Sequence, residues 1–178
     1  RENYQRNFIS NGINNAKEDD YIIISDVDEI PNLENLDSVK NNRYSVFEQK
    51  MHYYKFNLLN TTNPNWYGSR ICKKKYLKSP QWLREQKIKK KFFFNFMKIN
   101  WNVIENGGWH FSFLLNPDEI KNKIESFAHS EFNNSKFKNI DKIKSSIKNN
   151  IDLFDRNFNY KEVAIDSSYP KYIIENKD

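Results

Sequence analysis

The segment Tyr21-Ile22-Ile23-Ile24-Ser25-Asp26-Val27-Asp28-Glu29-Ile30-Pro31 decides how the rest of the chain is read. Strand-forming residues run straight into three carboxylates, and a proline closes the segment. A continuous apolar run bounded by polar residues fits a strand buried on both faces, as in a parallel sheet, and Ile22 to Ser25 is expected near the middle of that sheet. Ligands in open α/β sheets collect at the carboxyl ends of such strands, which is where Asp26, Asp28 and Glu29 fall. Two apart, Asp26 and Asp28 would point the same way on a regular strand and repel each other. A divalent cation removes that repulsion, and carboxylate oxygens suit magnesium or manganese. The competing reading is an acidic turn after a buried strand, with Asp28 or Glu29 capping the next helix.

A chain of 178 residues is long enough for one domain with a substantial core, and a single domain over 1–178 is expected. It is rich in aromatics (14 Phe, 10 Tyr, 4 Trp) and carries a net charge of +6. The basic clusters at Lys73-Lys74-Lys75 and from Lys87 to Lys91 favour anionic partners: nucleic acid, acidic membrane or a phosphorylated substrate. An AT-rich gene would supply the same lysines without any such role. The lone cysteine, Cys72, excludes an internal disulfide. No window reads as a transmembrane span or signal peptide, so a cytoplasmic location is expected.

Around the central segment, Tyr4, Phe8, Ile9, Ile13 and Ala16 predict a helix over about Tyr4 to Lys17. The chain thus enters its sheet on a helix, without the strand that should come first. Leu33, Leu36 and Val39 suggest a short helix after Pro31. Tyr44 to Leu59 reads as one long strand or two paired ones, and Ser69 to Leu77 as another. Ser79-Pro80 is an N-cap followed by proline at the first helical position, opening a helix into the second lysine cluster. Phe92 to Phe96 and Ile99 to Ile104 are apolar segments of strand or buried loop. Gly107-Gly108-Trp109-His110-Phe111-Ser112-Phe113 is the second informative stretch, since adjacent glycines permit backbone angles or close approaches that other residues avoid. Asn116-Pro117-Asp118-Glu119 resembles a capping box, leading a helix that presents Ile120, Ile124, Phe127 and Ala128 on one face. An amphipathic helix is expected over about Asp141 to Phe154, and Tyr172-Ile173-Ile174 as an edge strand. No internal repeat or linker divides the chain.

Taken together, Tyr4-Gln5-Arg6-Asn7, Ile22 through Pro31, and Gly107 through Leu114 followed by Lys123 through Glu131 resemble glycosyltransferase family 17. These are the β-1,4-N-acetylglucosaminyltransferases that add the bisecting residue to N-glycans, with their bacterial and viral relatives. The likeness covers residues 1–132. Residues 133–178 read as a helical, polar extension. The resemblance implies a GT-A fold, that is, a mixed, mainly parallel sheet flanked by helices. It also implies a nucleotide-sugar donor, a uridine diphosphate sugar first, and a glycan or glycoprotein acceptor. Family members usually carry a section upstream of this first helix that helps bind the nucleotide. No counterpart is expected here, matching the absent first strand.

By the same resemblance, Asp28 is the first choice for direct metal ligation. Asp26 holds the manganese or magnesium through water or contacts the donor, and His110 is the third ligand. Lys123, His129 and Trp109 are donor-binding candidates, although a helical lysine is ordinarily a solvated charge and an abundant aromatic is ordinarily core. Glu29 either orients the site or caps the next helix. An inverting transferase needs a carboxylate base, for which Glu131, Asp118, Glu105 and Glu48 are candidates and Glu131 is preferred. Two other readings stand beside this one. A non-catalytic sugar-binding remnant is the nearer; a basic nucleic-acid-binding protein or metal-dependent nuclease is the other, and no nucleic-acid-binding module is recognisable to support it.

Overall fold

The computed structural model describes residues 2–88, 100–126 and 133–176. They fall into two compact units, Arg1–Gln49 with Asn65–His110 and Lys50–Pro64 with Phe111–Asp178.

The first unit opens on α1 (Glu2–Phe8), which tightens into a 3-10 turn over Ile9–Ile13. The helix expected to reach Lys17 stops early because Asn11, Gly12, Asn14 and Asn15 are poor helix formers. Ile13 and Ala16 still pack on the buried Ile22, Ile24, Tyr44, Cys72 and Leu83, whereas Tyr4 and Phe8 are exposed.

Strand β1 (Tyr21–Ile24) sends Ile22 and Ile24 into that cluster and Ile23 against Val39, Phe47, Ile71 and Ile104. Both faces are covered, as the unbroken apolar run demanded. Its position requires a correction. Among the described residues β1 pairs only with β5 (Asn65–Lys73), antiparallel, so it ends the sheet and does not centre it. An apolar run reports covered faces, not a strand's rank in the sheet.

The expectation of a mainly parallel sheet is also corrected. The fold is mixed α/β, but β2 (Glu29–Pro31) pairs antiparallel with β7 (Gly108–Ser112). Only β3 (Tyr44–Tyr53) with β6 (Asn102–Ile104) runs parallel among the registers described. Parallel neighbours need long crossovers, usually helical, and the helices here are short. In the second unit, the end of β3 pairs antiparallel with β4 (Leu58–Asn60), resolving Tyr44 to Leu59 as two paired strands. In turn β4 pairs antiparallel with β8 (Tyr160–Glu162).

Helix α2 (Pro80–Glu85) begins as the sequence predicts, with Ser79 Oγ accepting from Trp82 N at 3.1 Å and Pro80 in the first turn. It ends before the lysine cluster; the apolar stretch Phe92 to Phe96 lies outside the described residues. Ser79→Ala is expected to cost about 0.5–2 kcal/mol. Urea unfolding checks this, and an unchanged midpoint would show that Pro80 and packing alone start the helix.

In the second unit, Asn116 and Glu119 form a reciprocal capping box at 3.0 and 2.9 Å, opening α3 (Pro117–Ser126). The next helix, α4 (Ile140–Asn149), stops at left-handed Asn150, φ 53°, short of the expected Phe154. Ile120, Ile124 and Ile143 from these helices pack with Tyr53, Tyr54, Leu58, Phe113, Leu153 and Phe154. The edge strand expected at Tyr172 to Ile174 is instead α5 (Lys171–Glu175), begun directly after Pro170. Among the described residues no helix is long and apolar enough to cross a membrane.

Candidate active site

The acidic segment does not continue β1. Glu29 N donates to Asp26 O at 3.0 Å, closing a turn with Val27 and Asp28 at its corners. The regular-strand geometry expected for Asp26 and Asp28 is therefore replaced by a turn, and the two acids meet different partners.

Asp28 meets His110. The β2–β7 register sets Glu29 opposite His110, Ile30 opposite Trp109 and Pro31 opposite Gly108. His110 Nε2 then lies 3.5 Å from Asp28 Oδ1. Gly108 makes this pairing possible, at φ 131° with its missing Cβ directed at Ile30 O and 2.8 Å from Asn32 N. His110 is only 7% exposed, and its Nδ1 is buried without a hydrogen-bond partner among the described residues. The Trp66 indole packs on the imidazole with centroids 4.8 Å apart.

Asp26 meets two arginines. Arg84 Nη2 donates to Asp26 Oδ2 at 2.6 Å, and Arg6 Nη2 to Asp26 Oδ1 at 3.3 Å. Arg6 comes from α1 and also donates to Gln81 Oε1 on α2 at 2.7 Å, while Gln81 N donates to Asn7 Oδ1 at 3.1 Å. The Tyr4-Gln5-Arg6-Asn7 stretch thus docks α1 onto α2 through Arg6 and Asn7.

Glu29 is neither a helix cap, a role taken by Asn32, nor exposed to solvent. Its side chain is 1% exposed and grips Arg84 with both oxygens, each 2.8 Å from a guanidinium nitrogen. Trp66 Nε1 donates to Glu29 Oε1 at 2.8 Å, and the Asp26 amide donates to Oε2 at 3.1 Å. Burial by itself would push the Glu29 carboxyl up; the bonds and charge of Arg84, then Trp66 and the Asp26 amide, hold it below its ordinary value. Gly68 leaves the space this carboxylate occupies, since a Cβ there would lie 2.5 Å from Glu29 Oε1. Nearby Arg70 is buried over the Trp101 ring, and burial followed by the Arg84 charge pushes it down to about 10.

The remaining candidates are dispersed. Trp109 is 9% exposed and alternates with His110 along β7, which sets it on the opposite face, in the manner of a core residue. Lys123 lies on α3 in the second unit, its ammonium 4.9 Å from the Phe113 ring centroid. Asp118 is exposed in the first turn of the same helix. Glu105 is exposed in the turn before Gly107. Glu48 accepts from Asn65 Nδ2 and from Tyr67 OH at 3.3 Å, which sets it on the face opposite Trp66. His129 and Glu131 lie outside the described residues.

Sequence reasoning missed Arg84 and, as an individual contact, Arg6. A signal was available. Only six of the 29 basic residues are arginines, and arginine is not interchangeable with lysine where a carboxylate must be gripped by a planar fork.

A buried polar network that seats an acidic turn against a histidine is consistent with what similarity to known proteins shows. A model described as glycosyltransferase family 17 matches residues 1–171, and the chain belongs to that family. The match runs well past Phe132, where the resemblance in the sequence had faded, so the segment before residue 171 is family sequence too. No curated protein and no solved structure matched the chain.

Proposed function

We propose that this glycosyltransferase moves a hexose or N-acetylhexosamine from a uridine diphosphate sugar to a hydroxyl of a glycan or glycoprotein, with inversion, on a GT-A-type scaffold. The observation that carries the reading is Asp28 Oδ1 set 3.5 Å from His110 Nε2 at the end of a sheet. One carboxylate oxygen and one imidazole nitrogen fit a manganese or magnesium ion. Among the described residues no third His, Cys, Asp or Glu completes a cluster with them. Such a pair suits a cation shared with substrate phosphates and water better than one caged wholly by protein. When bound, that ion would neutralise charge developing on the departing diphosphate.

The chain's own residues supply the rest. Asp28 and His110 orient the cation, and Trp66 fixes the imidazole plane. A carboxylate, with Glu131 as first candidate, takes the proton from the acceptor hydroxyl as its oxygen attacks the anomeric carbon. Lys123 and His129 remain candidates for the diphosphate.

The test is release of nucleotide from uridine diphosphate sugars with manganese and an oligosaccharide panel. Manganese should raise the melting temperature, because a ligand of the native state stabilises it by mass action. Asp28→Asn should remove that shift and lower turnover by something on the order of 10²–10³, the scale for losing one preorganised electrostatic contact. His110→Ala should weaken both. Turnover undiminished in Asp28→Asn would remove that acid from the site, and no binding of any nucleotide sugar with manganese present would end the transferase reading.

A further inference from the structure

The two acids of the Asp-x-Asp pair are treated unequally by the fold. Asp28 faces His110. Asp26 has one oxygen 2.6 Å from Arg84 Nη2 and the other 3.3 Å from Arg6 Nη2. Arg84 is itself committed: Nη1 donates to Glu29 Oε2 and to Gly68 O, and Nη2 to Glu29 Oε1 and Asp26 Oδ2. Its side chain is 10% exposed, and four donated bonds fix the plane of the fork. A guanidinium so occupied has little left with which to grip a substrate. What it does is hold a neighbour.

We propose that Arg84 is a positioning residue that divides the Asp-x-Asp pair, holding the Asp26 carboxylate charge-paired and turned from the cation so that, among the described residues, Asp28 and His110 receive it. This rests on the cation site of the proposed function, though not on the reaction. Three acids within four residues would otherwise present several competing oxygen sites to one cation. Arg84 fastens Glu29 beneath the turn and Asp26 at its rim with one rigid group. Arg6 adds a second positive charge on the far oxygen of Asp26. In keeping with this division, no cluster of three or more ligating residues forms among the described residues, although Asp26 is only two positions from Asp28.

Lysine cannot reproduce the device, because one ammonium cannot span two carboxylates in fork geometry. In Arg84→Lys the buried Glu29 should keep the ammonium and Asp26 should be released. The experiment is calorimetric titration of manganese into full-length wild type, Arg84→Lys, Asp26→Asn and the double variant, with no sugar donor present. Wild type should bind one manganese, and Asp26→Asn should bind it within about threefold of wild type. Arg84→Lys should bind manganese at least fivefold more tightly, the released Asp26 now joining Asp28. The double variant should return to the wild-type affinity. A merely structural role for Arg84 gives the opposite sign, since a loosened turn binds metal less well in both backgrounds.

Should Arg84→Lys not fold, Arg6→Gln keeps the Glu29 pair intact and should tighten manganese in the same direction, again only while Asp26 is present. Weaker or unchanged binding in the Arg84 or Arg6 variant overturns the proposal. So does loss of binding in Asp26→Asn, or a wild type that takes no manganese. If the titrations run as stated but no nucleotide sugar is turned over, the transferase reading falls and the division of the pair stands.

Discussion

Arg84→Met is expected to cost the native state about 3–5 kcal/mol at neutral pH, the range for removing one partner of a buried ion pair. The cost comes less from the lost attraction than from what remains. Glu29 would keep its buried position, with a side chain 1% exposed, and lose the fork that occupies both oxygens. The Trp66 indole and the Asp26 amide would be left to solvate a full negative charge. The pH dependence carries the sharper signature. In the wild type the Glu29 carboxyl is held below its ordinary value of 4.5. Its contribution is therefore complete above that pH and is lost as pH falls through the lower folded value. Without Arg84, burial outweighs the bonds from Trp66 and the Asp26 amide and lifts the carboxyl above its unfolded value. Acidification then protonates the folded state first and restores stability. The deficit of Arg84→Met against wild type should shrink from pH 7 to pH 4, measured by urea unfolding at both. A deficit that is constant or grows toward acid would mean that Glu29 does not carry its charge in the folded protein.

What could be read in the sequence and what could not follows one division, between local and long-range information. The Ser79 and Asn116 caps were legible because the cap, the proline and the donating amide lie within four residues of one another. The coverage of β1 on both faces was legible from its unbroken isoleucines. That β1 ends the sheet was not, because the partner strand is some fifty residues away at Ile71 and Cys72 and the run looks alike in either setting. Likewise, three carboxylates after a strand announced a charged site but not its counterions. Glu29 finds Arg84 fifty-five positions later and Asp26 finds Arg6 twenty positions earlier. The scarcity of arginine marked those positions as unusual without saying which acid each would meet. The tail misled for a different reason. Tyr172-Ile173-Ile174 has strand propensity, but the Pro170 carbonyl accepts from the Ile173 and Ile174 amides and closes a helical turn, and only Ile173 is buried, as one face of a single turn requires.

Gly108→Ala is expected to damage the site without removing any of its side chains, because it attacks the contact that assembles it. At φ 131° the backbone occupies a region open almost only to glycine, and strain there costs about 1–3 kcal/mol. The added methyl would also overlap the carbonyl oxygen of Ile30 and sit 2.8 Å from Asn32 N, both backbone atoms that cannot swing aside as a side chain would. Relief requires β7 to part from β2 at the Pro31↔Gly108 pair. That separation propagates two residues to Glu29↔His110, the pair that delivers His110 to Asp28. Stability and metal response should therefore fail together, with a lower melting temperature and a smaller manganese-induced rise in it. Gly12→Ala is the matched control, since a Cβ at Gly12 meets nothing within 4 Å. It should leave both measurements close to wild type. If Gly108→Ala melts well below wild type yet keeps the full manganese response, the β2–β7 register is not what brings Asp28 and His110 together. The cation would then have to be held by residues other than this pair.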